Sequence, residues 1–243
     1  MKILPASNEP KDGFFQWKQC IETSSVPVHL GSLKCFVKDA PRDGNIRNCY
    51  KEALTQDSLS FFSLNQIHSS EIVECPNQLK PDFTKLGEGD GLTTTQANQV
   101  LTIRTADCLP LFLVQENRIS LLHVGYKGLL AGILDEFLKN LEPGDLYVKI
   151  GDHIHNCCFE VREDVLTLFE GFEWFEKDKD LLIRENRTFV KLEGIVERFF
   201  CSSLGSRLAI DTQSRCTCCN DDLFSHRASK TPFRIGHVIW KEG

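Results

Sequence analysis

The sequence predicts an α+β fold, a single domain in which layers of mixed β-sheet are covered by helices. Three observations carry this. Short apolar runs bounded by Gly, Pro, Asn and Asp recur along the chain and read as strands. Stretches with apolar residues every third or fourth position are interspersed with them and read as helices. No internal repeat, low-complexity tract or linker divides the 243 residues, of which 41% are hydrophobic, enough to fill a substantial core. One domain over 1–243 is expected, with a divergent N-terminal segment, 1–60.

In that segment, runs from Gly13 to Trp17 and from Val26 to Leu30 read as short strands, Pro41 to Asn45 as a loop, and Asn48 to Leu54 as a helix start. Val100 to Ile103, Leu111 to Val114 and Ile119 to Leu122 then read as three buried strands. Gly128 to Leu141 places Leu129, Leu130, Ile133, Leu134, Phe137, Leu138 and Leu141 on one helical stripe, stopped by Pro143 and Gly144. A strand over Leu146 to Ile150 and a helix from Glu160 to Phe169 follow. The alternating charges of 176–180 read as a solvated turn. Leu192, Ile195, Val196, Phe199, Phe200 and Leu204 form a further helical face ending at Gly205, followed by a strand over Leu208 to Ile210.

Composition narrows the function. A net charge of −6 argues against a general nucleic-acid surface, which needs clustered Lys and Arg. No apolar run approaches the roughly 18–20 residues of a spanning helix, and the first ten residues break too early for a secretory leader. The expectation is a cytoplasmic protein, with no membrane or nucleic-acid partner and a monomer favoured. Eleven cysteines, an odd number in a large domain, are then mostly reduced thiols.

His68, Cys108 and His123 each sit in a short apolar neighbourhood. A thiolate and two imidazoles brought together hold zinc through three protein ligands and leave a fourth position for water or substrate. Singly, each has a plainer reading: a hydrogen-bonded structural histidine, or a cysteine buried as a small hydrophobe. Their spacings match no zinc finger, and His68-Ser69-Ser70-Glu71 lacks the H-x-E of nucleobase deaminases. Around them, Asp90 reads chiefly as a turn cap, Asp107 as either a cap or an orienting carboxylate, and Glu71 as a weaker acid/base candidate. Arg104, Lys127 and Arg227 are candidate phosphate contacts, against a plainer role as surface charges or ion pairs. Cys157-Cys158 with Cys216, Cys218 and Cys219 would form a second, structural metal site only if they met in space, and the latter group alone is too compressed for a standard finger. His153 and His155 read as solvent-exposed loop residues.

The blocks N-Q-I-H at His68, D-G-L-T-T from Asp90, T-A-D-C-L-P around Cys108 and H-V-G-Y-K-G from His123 resemble, in order, the Q-V-H, D-G-L-V-T, T-A-D-C-x-P and H-A-G-W-R-G blocks of the YfiH/YlmD family, the laccase-like polyphenol oxidases. The likeness continues through Ile150-Gly151, Cys157 to Val161, Cys216-Thr217, Phe224 to Arg227 and Gly236, and so spans residues 60–240. The resemblance implies that His68, Cys108 and His123 are zinc ligands. It also implies purine nucleoside phosphorolysis of adenosine, inosine or methylthioadenosine, with deamination of adenosine as an associated activity. Its partners would be a nucleoside and phosphate. Lys127 and Tyr126 stand where the family has Arg and Trp, and the family's N-terminal R-x-G-G-x-S segment is not recognisable here.

Three other readings stand beside this one. Cys108 would be the nucleophile of a hydrolase or amidase editing peptidoglycan precursors, with His123 or His68 as its base. Copper would replace zinc in a phenol oxidase, although a single small ligand set does not make a multicopper centre. Last is a metal-stabilised interaction protein without turnover.

Overall fold

Alternating apolar positions are the reason two sheets form and stack, and the computed structural model shows where each face goes. It describes residues 2–3, 15–23, 26–38, 54, 58–77 and 83–243. The readings at 13–14 and 41–53 lie outside these.

A seven-stranded sheet runs in the order β1 (Lys2–Ile3), β2 (Phe15–Glu22), β3 (Pro27–Lys38), β16 (Phe233–Lys241), β8 (Gln99–Thr105), β4 (Ser60–Asn65) and β6 (Phe83–Glu88). A six-stranded sheet has the order β15 (Leu208–Asp211), β11 (Leu146–Ile150), β9 (Leu109–Val114), β10 (Ile119–Val124), β7 (Gly91–Thr94) and β5 (Ile72–Glu74). Both are mixed: β10 pairs antiparallel with β7 and β9, whereas β4 with β8 and β11 with β15 run parallel. A small three-stranded sheet joins β12 (Glu160–Val161), β14 (Arg187–Val190) and β13 (Leu181–Arg184).

The period of two in β9 and β10 sets the layers. Phe112, Val114, Ile119 and Leu121 face the seven-stranded sheet and pack with Leu30, Phe62, Leu101, Ile103 and Ile239. Leu109, Leu111, Leu113, Leu122 and Val124 face the other way, onto Leu129, Ile133 and Phe137 and onto Ile195, Phe199 and Phe200 of the helix Leu192–Leu204. The six-stranded sheet is thus covered on both faces, and β9, β10 and β11 are buried at every position. Each large side chain so covered contributes roughly 1.5–3 kcal/mol. The expected α+β class, with layered mixed sheet under helices, is what the chain adopts.

Several elements differ in detail. The stripe from Gly128 is two helices, Tyr126–Leu130 and Ile133–Lys139, broken at Gly132, whose φ of 87° is a conformation that favours glycine. The segment expected to be helical from Glu160 begins as β12, and the helix runs Glu163–Glu170, because Glu160 and Val161 pair with Phe189 and Thr188. Residues 177–180 form a helical turn that is solvated as expected from Glu176 to Lys179, but Asp180 is 1% exposed, accepts from the Glu176 N–H and pairs with Arg198.

Candidate metal centre

His68 lies on the connection between β4 and β5, and its loop is held by side chains rather than by ladder pairing. Gln66 donates from Nε2 to the Arg104 carbonyl (2.8 Å) and accepts the Arg104 N–H at Oε1 (2.9 Å), extending the β4–β8 contact by one side chain. Asp90 closes the loop from the other side: its Oδ2 accepts the N–H groups of Ile67 (3.2 Å) and Ser69 (2.6 Å) and the Ser69 hydroxyl (2.8 Å). His68 itself takes φ +61°, at the point where the chain turns over. The segment is a bend, not a helix, so Glu71 is not carried back one turn toward His68; it is exposed, and its carbonyl accepts from Asp90 and Gly91.

His123 ends β10 on the side of Ile119 and Leu121, between the sheets, and is 3% exposed. Its Nδ1 bonds Asp90 Oδ1 at 2.7 Å. Asp90 is therefore more than a turn cap, because one wholly buried carboxylate fixes the His68 loop and the His123 ring together. With Nδ1 held there, Nε2 is left to bind. Cys108 sits in the turn between β8 and β9, its Sγ 3.8 Å from His68 Nε2. The two imidazoles meet edge to face with centroids 4.8 Å apart. One donor atom from each of His68, Cys108 and His123 lies within 4.8 Å of the others. Zinc bonds to sulfur and nitrogen at tetrahedral angles place those atoms about 3.5 Å apart, so this donor set fits a zinc-sized cation with small adjustments.

The charges point the same way. Burial alone would raise the Cys108 pKa, but the His123 charge and hydrogen bonds from both imidazoles pull it down to about 6. Burial opposes a charge on His123, yet the Cys108 thiolate and the Asp90 hydrogen bond raise its pKa to about 9. Asp90, against its burial, is lowered to about 2 by His123 and Ser69. These shifts favour a thiolate at Cys108 beside a protonated ring at His123, with the Asp90 carboxylate behind it. Gly125 makes room: a Cβ there would stand 2.8 Å from His68 Cδ2 and 3.2 Å from Cys108 Sγ.

The trio lines a cavity of about 610 Å³. Arg104 and Arg227 line it too, whereas Lys127 lies outside this lining set, in a surface depression with Leu130, Leu168 and Phe172. Arg227 also grips the carbonyls of Cys158 and Glu160 and sits over the Phe159 ring. Asp107, at φ +93°, points away from the trio: it accepts from Thr217 Oγ1, Ser225 Oγ and the Arg227 N–H at 2.6–2.7 Å, pinning the far wall. Arg234, His226 and Phe159 also line the cavity and were not named as site residues from the sequence; His226 and Phe159 fall inside the matched blocks, and for Arg234 the signal was its place two residues before Gly236.

Residues 22–242 match the family described as multi-copper polyphenol oxidoreductase laccase. The chain belongs to that family. Among curated relatives of this laccase-like protein, a "Purine nucleoside phosphorylase" of Borreliella burgdorferi is 32% identical over 73% of the chain and 78% of the relative. Another of the same name, from Aquifex aeolicus, is 28% identical over 70% and 77%. The fold is shared with YfiH of Bacillus licheniformis (TM-score 0.75, 21% identity, 92% and 96% covered) and YlmD of Geobacillus stearothermophilus (0.71, 22%, 90% and 93%). Among the described residues, no helix is long and apolar enough to cross a membrane.

Proposed function

We propose that this laccase-family protein is a zinc-dependent purine nucleoside phosphorylase, with His68, Cys108 and His123 as the metal ligands. The observation that carries the reading is convergence: a three-donor cluster, three arginines and two aromatic rings line one cavity. Arg104, Arg227 and Arg234 supply the positive charge and planar donors that suit phosphate. Tyr126 and Phe159, with ring centroids 6.5 Å apart, offer faces against which a purine stacks. The relatives named as purine nucleoside phosphorylases support purine nucleosides as the substrate class; adenosine, inosine and methylthioadenosine are the substrates proposed within it.

In phosphorolysis a phosphate oxygen bonds to ribose C1′ while the bond from C1′ to the purine nitrogen breaks. The electron pair leaves with the base, which takes up a proton, and ribose 1-phosphate remains. A bound zinc ion supplies Lewis acidity beside that exchange. The arginines hold the phosphate and neutralise its charge, so that a nucleophilic oxygen faces the sugar. Asp90 keeps the ligand histidines in place by fixing the His123 tautomer and the His68 loop. The Cys108 thiolate offsets one of the cation's two charges, leaving a residual unit to attract an anion. A second reaction, hydrolytic deamination of adenosine to inosine and ammonia, suits the same residues, because a zinc ion held by His68, Cys108 and His123 would have only three protein ligands and would supply an activated water.

The test is incubation of zinc-quantified protein with inosine or adenosine, with and without phosphate. Base released only when phosphate is present is the expected result, and inosine formed from adenosine marks the second reaction. Failure to release base from either nucleoside overturns the phosphorylase reading.

A further inference from the structure

A second group of sulfur donors lies outside the cavity's lining, next in sequence to Phe159, which lines it. The turn at 155–159 closes through Cys158 and Phe159 N–H bonds to the His155 carbonyl, and the turn at 216–219 closes through the Cys219 N–H to the Cys216 carbonyl. A parallel bridge between His153 and Cys216 sets the two turns side by side. This brings Cys157, Cys158, Cys216 and Cys219 together, with all four sulfurs within 4.8 Å of one another; Cys219 Sγ is 3.4 Å from Cys157 Sγ and 3.3 Å from Cys158 Sγ. Four sulfurs bonded tetrahedrally to zinc stand about 3.8 Å apart. The cluster is already of that size, and all four residues are free thiols. A polynuclear iron–sulfur cluster spreads its cysteines more widely.

The surroundings are built for thiolate. Cys216 is buried, which acts against its ionisation. Yet the N–H groups of His155, Cys218 and Cys219 and the Cys157 thiol are directed at its sulfur, and its pKa falls below the ordinary thiol value. Its neighbours behave oppositely: burial and the adjoining sulfurs push Cys157 up to about 12, and Cys158 higher still.

We propose that Cys157, Cys158, Cys216 and Cys219 form a second, four-sulfur zinc site that closes the coordination shell and locks the cavity's far wall. The lock reaches the cavity-lining Arg227 and Phe159 through main-chain atoms. The Cys158 carbonyl accepts from Arg227, the Cys157 carbonyl accepts from Arg184, and Phe159 follows directly in sequence. Its role is positional, because a closed four-sulfur shell leaves no place for substrate.

Metal analysis of the full-length protein, purified under reducing conditions with zinc present, tests this. About two zinc ions per chain are expected. Cys157→Ser and Cys219→Ser should each lower the content to about one, Cys108→Ser should do the same from the other site, and Cys201→Ser, on an exposed helix face, should leave both. If the cage variants fail to fold, cobalt substitution of the unmutated protein and of Cys108→Ser replaces them. Intense thiolate-to-cobalt charge-transfer absorption that persists in Cys108→Ser supports the site. A Cys108→Ser protein without zinc, loss of the cobalt bands in that variant, bound iron, or a disulfide among the four under reducing conditions would each overturn it.

Discussion

Two side-chain clusters among the described residues each gather to within reach of one ion, and they differ in the number and kind of their donors and in what they open onto. The cluster of His68, Cys108 and His123 has three donors of mixed softness and opens onto a cavity of about 610 Å³. The cluster of Cys157, Cys158, Cys216 and Cys219 has four identical soft donors, with Cys216 buried and Cys219 exposed. Three donors leave a coordination position, four do not, and only the first has a buried carboxylate behind a ligand. The contrast extends to protons: at Cys108 the imidazoles overcome burial and pull the thiol down to about 6, whereas at Cys157 burial and then the adjoining sulfurs push it up to about 12.

The largest expected effect follows from that contrast. In metal-free protein at pH 7, Cys108 is mostly thiolate, and alkylation should modify it about 10²-fold or more faster than Cys157, after allowing for the weaker nucleophilicity of a more acidic thiol. Peptide mapping of partly alkylated protein reads the order, and zinc should protect both clusters. If Cys108 were instead a catalytic nucleophile, it would stay reactive with the metal in place.

Asp90→Asn attacks the open cluster alone. The amide cannot match the charge behind His123, so zinc affinity there should fall 10- to 100-fold while the four-sulfur site stays loaded. Competition with a chromophoric chelator measures both. Gly125→Ala should weaken the same site by about tenfold, since the added methyl crowds His68 and Cys108 while the φ of −78° there suits alanine. Calorimetric titration with zinc reads the change, and unaltered affinity would mean that the loops give way freely.

The smallest effect involves neither cluster. His237 is wholly buried between Ser32 and Thr105, at 2.8 Å from each hydroxyl, and burial with the nearby His123 charge lowers its pKa to about 3. The unfolded chain protonates this ring near pH 6.5, so the folded state's advantage is complete above that pH. It declines as pH falls toward 3, by up to about 1.4 kcal/mol per unit. Urea unfolding at pH 7 and pH 5.5 should show a steeper loss for the parent protein than for His237→Gln.

Much of this was legible beforehand. The runs at 100–103, 111–114 and 119–122 are strands because their apolar residues fill both faces of a covered sheet, and that placed Cys108 and His123 at strand ends. The carboxylate that unites the open cluster was visible only as a turn residue, since nothing local in Asp90-Gly91 reveals a partner 33 positions away. The four-sulfur group was legible only on the condition that its members meet in space. Cys218 masked the two-residue spacing between Cys216 and Cys219, and the meeting of distant turns is a tertiary fact. His153 shows the same limit: expected in solvent, it is fully buried, bonded to the Gly151 carbonyl and to Glu193, because its bridge to Cys216 draws it inside. Asp180 escaped notice because a charge-rich run gives no sign that one of its members will meet Arg198.

The most direct measurement is phosphate-dependent release of base from inosine by Cys108→Ala and Cys219→Ser, each compared with the parent at known zinc content and confirmed fold. Cys108→Ala should lose about 10³-fold or more in rate, and Cys219→Ser should retain activity within about tenfold. Phosphorolysis that survives in Cys108→Ala would contradict the assignment of the reaction to the open cluster.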